Sequence, residues 1–74
     1  MSTLSKEEKI QLINSRINGL EFKKYGLELD LIVENAKSSP DANSVTVINN
    51  AISEVDGQIT AINAELTAIN ALAE

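Results

Sequence analysis

The 74-residue chain contains no cysteine, no histidine and no tryptophan. Without cysteine there is neither a disulfide nor a thiolate metal site, and without histidine the commonest metal ligand and general base are missing. One phenylalanine and one tyrosine, Phe22 and Tyr25, are its only aromatic residues. A single proline, Pro40, interrupts it. Beyond Lys37 there is no Lys or Arg at all, only Asp41, Glu54, Asp56, Glu65 and Glu74, so the second half carries the whole net charge of −5. An acidic chain without a basic stripe excludes nucleic acid as the expected partner. No segment has the length of a membrane span and no apolar run of signal-peptide type opens the chain, so the expectation is a soluble protein with no export signal and no membrane partner. A chain this short buries a modest fraction of its surface, and with disulfides and metal excluded, association is the remaining source of stability.

What the chain does have is a repeat. Residues 59–65 read Ile-Thr-Ala-Ile-Asn-Ala-Glu and residues 66–72 read Leu-Thr-Ala-Ile-Asn-Ala-Leu. The row extends upstream: Val45, Ile48, Ile52, Val55, Ile59, Ile62, Leu66 and Ile69 keep spacings of three and four. Such spacing marks a helix that packs along its length against another. Ile10, Ile13, Ile17, Leu20, Leu27 and Leu31 do the same in the first half, with Lys24 in one slot. Ser5 with Glu8 three residues on forms a capping-box start, and Glu7 and Glu8 suit the positive end of the helix dipole.

Ser39-Pro40-Asp41 is the one strong break. Proline displaces the residue before it from helical geometry and fits the first position of a new helix, so Ser39 is the expected cap, with a later start at Ser44 as the alternative. The expected organisation is one domain over 1–74, with a helix over about 5–38, a turn over about 38–40 and a helix over about 40–73, each about 45–50 Å long. Folding back between Ser39 and Pro40 sets Leu31 against Ile48, Leu27 against Ile52, Lys24 against Val55 and Leu20 against Ile59. Ile17 then meets Ile62, Ile13 meets Leu66 and Ile10 meets Ile69. The local break and the seam therefore demand the same turn. The fold class expected is all-α, a two-helix antiparallel coiled-coil hairpin that oligomerises into a bundle of four or more helices. A parallel arrangement of separate chains is the alternative, because β-branched residues at both seam positions suit trimers and tetramers.

The far side of each helix is not uniformly polar. Leu12, Ser15, Gly19, Phe22, Gly26, Leu29, Val33 and Ala36 form a second three-four row, as do Gly57, Ala61, Ala64, Ala68 and Ala71. Alanine is the best helix former, so the alanine row also has a reading as propensity alone. Phe22, Leu29 and Val33 mark an interaction surface. The putting together of Leu12, Gly19, Phe22, Gly26, Leu29, Val33, Ala61, Ala64, Ala68 and Ala71 defines the expected interaction face, with Gly19 and Gly26 allowing another backbone to come close.

Chemical motifs are weak throughout. Lys24 has two readings: its stem packs while the ammonium reaches solvent or Asp56, or it pins the register of the seam. Asn49, Asp56, Asn63 and Asn70 form a polar row beside the seam, a wet edge rather than a metal row with Glu65, since hard cations want clustered carboxylates. Asp30 and Glu34 read as a solvated acidic face near Lys37 rather than an acid–base pair. Lys23-Lys24-Tyr25 is too small a cluster to hold nucleic acid. Gly19, Gly26 and Gly57 are isolated, so no phosphate loop exists, and no hydroxyl has a histidine partner. No catalytic residue, metal ligand or cofactor is expected, and enzyme activity is not.

The stretch Leu20-Glu21-Phe22-Lys23-Lys24-Tyr25-Gly26-Leu27-Glu28-Leu29-Asp30, followed by Val33-Glu34-Asn35-Ala36-Lys37, resembles small uncharacterised helical proteins of T4-like phages of marine cyanobacteria, over about a quarter of the chain. The resemblance implies a phage context, in a virion or in the cytoplasm of an infected cell, and supplies no site residues. The expected function is a structural or assembly module, a virion accessory protein that forms homo-oligomers. The alternative is a small regulatory protein that binds a host protein through Phe22, Leu29 and Val33 by helix-in-groove recognition.

Overall fold

The computed structural model describes residues 3–72 and consists of two helices, α1 (Lys6–Asn35) and α2 (Ala42–Asn70), packed against each other. No strand occurs among the described residues. The start of α1 is a capping box: the Glu8 amide donates to Ser5 Oγ at 3.1 Å, and the Ser5 amide donates to Glu8 Oε1 at 3.0 Å. These two bonds satisfy amides that the first turn would otherwise leave unpaired. They also hold the Glu8 carboxyl below its ordinary value, the Ser5 amide contributing most.

The helices run antiparallel, as contacts at both ends require. At the open end Lys6 Nζ donates to the carbonyls of Asn70 at 3.2 Å and Leu72 at 2.8 Å. The last turn of α2 has no basic residue of its own, so the cation that complements its dipole comes from the start of α1. At the closed end Glu34 Oε2 accepts from the Asp41 amide at 3.0 Å while its Oε1 accepts from Lys37 Nζ at 2.9 Å.

Two expectations are corrected here. The cap of α2 is Asp41, not Ser39, and Pro40 lies outside the helix rather than at its first position. Asp41 accepts from the Asn43 amide at 3.0 Å and from Ser44 Oγ at 3.1 Å. A cap on Ser39 would need amides in the following turn, but the Asp41 amide is already given to Glu34. Ser44, the alternative cap, instead donates its hydroxyl to Asp41. Glu34 is not part of a solvated acidic face either; it is 8% exposed and sits three residues past Leu31 in the seam. Its carboxylate survives there because the Asp41 amide and the Lys37 ammonium occupy its oxygens, and these bonds hold its carboxyl below the ordinary value.

The molecule is a rod of 57 × 18 × 14 Å with a radius of gyration of 16.9 Å; a compact domain of this length would have about 11 Å. Its accessible surface is 5419 Å² for 8.0 kDa, about 1,000 Å² more than the roughly 4,450 Å² of a compact monomer. Among the described residues only two apolar side chains are buried, Val55 at 2% and Ile69 at 8% exposure. One neighbour covers one side of a helix, and the rest stays in solvent.

The closed-end clamp has a pH signature. The unfolded chain binds protons at Glu34 more readily than the folded one, because the folded carboxyl lies below 4.5. Its contribution is therefore complete above about pH 5 and is lost as the pH falls through the folded value. Thermal melts of Glu34→Gln are expected to show a lower Tm at pH 7 and a shallower fall between about pH 5 and 3 than the native chain. Glu8 keeps some acid sensitivity in the variant, since it is shifted the same way. Identical slopes would contradict the clamp.

Candidate interaction surface

Seam and outer face have different surroundings. Ile10, Ile13, Ile17, Leu20, Lys24, Leu27 and Leu31 of α1 are half-buried, as are Ile48, Ile52, Ile59, Ile62 and Leu66 of α2, flanking the buried Val55 and Ile69. Leu12, Gly19, Phe22, Gly26, Leu29, Val33, Ala61, Ala64, Ala68 and Ala71 are exposed. Phe22 is 72% and Val33 65% exposed, large apolar side chains in water on a helix whose other face is covered.

Tyr25 and Ile32 were missed as members of this surface, and they are 61% and 64% exposed. With them the stripe becomes Phe22, Tyr25, Leu29, Ile32, which is a three-four-three spacing like the seam itself. That spacing was visible, but Tyr25 reads first as part of the Lys23-Lys24-Tyr25 cluster and Ile32 as a neighbour of the seam residue Leu31. Val47 of α2, 66% exposed, shares an open groove with Val33, Asp30 and Lys37 at the closed end. The apolar patch therefore runs along one half of α1 and touches α2 only near the turn.

The glycines carry independent information. A Cβ built at Gly19, Gly26 or Gly57 meets nothing within 4 Å. No contact inside the hairpin demands glycine at any of the three, yet each costs a helix about 1 kcal/mol relative to alanine.

Charge is arranged by flank. Lys24 Nζ lies 2.8 Å from Asp56 Oδ1, with the two side chains 35% and 50% exposed. Asp56 follows the Val55 that the seam register sets against Lys24. The Asp56 hydrogen bond and charge hold the Lys24 ammonium above its ordinary value, with Glu28 and Glu21 adding to the effect. Lys9, Arg16 and Lys23 are spaced by seven along the opposite flank of α1. In the polar row Asp56 pairs with Lys24, while the main-chain carbonyls of Asn63 and Asn70 accept from Thr67 Oγ1 at 3.1 Å and from Lys6 Nζ. Among the described residues no group of three or more acidic side chains is placed to hold a metal ion, and no helix is long and apolar enough to cross a membrane.

No family model matches the chain, and comparison with curated proteins and with solved structures gives no match either.

An ion pair as exposed as Lys24–Asp56 contributes little net stability, while an apolar side chain in that seam slot would bury more surface. Lys24→Leu is therefore expected to raise the Tm of the hairpin. If Lys24 pins the register, the same variant also broadens the distribution of oligomers seen by sedimentation. A lower Tm would show that the ion pair outweighs the apolar contact.

Proposed function

We propose that the chain is a non-enzymatic assembly module that works by helix–helix self-association, building a bundle of four or more helices from hairpins. The observation that carries this reading is the stripe Phe22, Tyr25, Leu29, Ile32, Val33, left in solvent on a rod with too little core to need it. Monomeric proteins seldom keep several large apolar side chains contiguous on one face unless that face binds something. The resemblance to small phage proteins, carried by residues that include Phe22, Tyr25, Leu29 and Val33, supports a virion accessory role.

A second reading uses the same face differently. Phe22, Leu29 and Val33 lie on one side of a single helix, the arrangement by which an amphipathic helix enters a groove of another protein. Such a regulatory protein would capture a host protein without assembling with itself.

Light scattering separates the two. The assembly reading expects a mass that is a multiple of 8.0 kDa at concentrations on the order of 100 μM, and a return to one chain in Phe22→Glu/Leu29→Glu with helicity retained. A native chain that stays at one copy throughout, with the double variant indistinguishable from it, would sink the assembly reading.

A further inference from the structure

The outer face of α1 has a symmetry that points to its occupant. We propose that a second copy covers it, the two α1 helices running antiparallel about a two-fold axis at Leu29. The proposal rests on the self-association reading and specifies the helix, the direction and the register.

At 3.6 residues per turn, Phe22, Leu29 and Ala36 lie along the middle of the face, Tyr25 and Ile32 along one edge, and Gly26 and Val33 along the other. A two-fold axis perpendicular to a pair of antiparallel helices keeps each edge on its own side, so residues of one edge meet residues of the same edge. Centred on Leu29, that operation sets Tyr25 against Ile32 of the second copy, Gly26 against Val33 and Phe22 over Ala36, with Leu29 meeting itself. Phe22 and Val33 each find a small residue, Tyr25 finds a β-branched one, and the two Leu29 side chains pack on each other at the axis. Centring the axis one heptad earlier, on Phe22, would set Tyr25 against Asn18 and Ile32 against Gln11, burying amides without partners. Register is thus chosen by what the alternative would desolvate.

Gly26 gains a reason in this arrangement. Nothing within the hairpin lies within 4 Å of a Cβ built there, whereas Val33 of the second copy would occupy that space. The area is also of the right size. Phe22, Tyr25, Leu29, Ile32 and Val33 are 72%, 61%, 43%, 64% and 65% exposed, on the order of 600 Å² of side chain. With Gly26, Ala36 and the helix edges the patch approaches the roughly 800 Å² per partner of a standard interface. Glu28 and Asp30 flank the axis as exposed side chains at the rim, where solvent and salt screen their approach to their own copies. A groove on a foreign protein would use the same apolar anchors but would not require them to be self-complementary about their own centre.

The test combines sedimentation equilibrium with single thiols, which the cysteine-free chain permits. Under mild oxidation Leu29→Cys is expected to form a covalent dimer, and Ala64→Cys, on the outer row of α2, to remain uncrosslinked. Gly26→Leu is expected to raise the dimer Kd at least about tenfold, since Leu would fill the place of Val33 of the second copy, and Gly57→Leu to change it less than about twofold. Both glycine variants have open space within the hairpin and should stay helical. If the native chain assembles but Ala64→Cys crosslinks in place of Leu29→Cys, or Gly26→Leu leaves the Kd unchanged, this register is wrong and self-association stands. If the native chain sediments as one copy at every concentration, both fall, and the face belongs to another occupant.

Discussion

A helix has a full circumference, and one neighbouring helix covers only a stripe of it. That constraint governs this molecule. The seam rows are continuous over nearly the whole length of both helices, so α1 and α2 can zip from end to end. Two rods side by side nevertheless enclose almost nothing: among the described residues Val55 and Ile69 are the only buried apolar ones. Length adds contacts along the seam without adding depth to the core. The excess surface, the exposed stripe on α1 and the glycines that no internal contact explains all follow from a layer with no third element to cover it.

The ends matter more in such a rod than in a thicker fold, because an antiparallel pair must be stopped from sliding or splaying. Two charged side chains do this at opposite ends. Glu34 takes the Asp41 amide and the Lys37 ammonium where the chain turns, and Lys6 reaches the Asn70 and Leu72 carbonyls at the C-terminal end of α2. Both bind backbone groups that a helix terminus or a turn leaves without partners. Between them Lys24 and Asp56 tie the middle of the rod. Each tie connects groups whose positions along the two helices correspond only in one register. The two end ties, at Glu34 and at Lys6, therefore favour this alignment, and the apolar seam supplies the attraction.

Much of the architecture was legible because it is periodic. Spacings of three and four identify the seam residues from Ile10 to Leu31 and from Val45 to Ile69, and Ser5 with Glu8 identifies the first cap, since both signals are local or repetitive. Less legible was whatever depends on the turn bringing distant residues together. Lys6 looks like an ordinary surface lysine until folding places it beside Leu72. Glu34 reads as half of an acidic pair with Asp30, though its place three residues beyond Leu31 already put it in the seam. Local chemistry favours Ser39-Pro40 as the start of α2, but the competition for one amide, that of Asp41, shifts the cap by two residues. Tyr25 and Ile32 were visible as members of a second stripe but were hidden by their neighbours in sequence.

The account depends on one chain making both strands of the seam. Ile62 shares a groove with Arg16 and Leu20, the neighbours of Ile17, so a thiol at Ile17 and another at Ile62 would face each other within a single molecule. In the double variant Ile17→Cys/Ile62→Cys, oxidised at high dilution, the account predicts a bridged single chain whose yield does not depend on concentration. Bridges that form only between different molecules, and vanish on dilution, would contradict it.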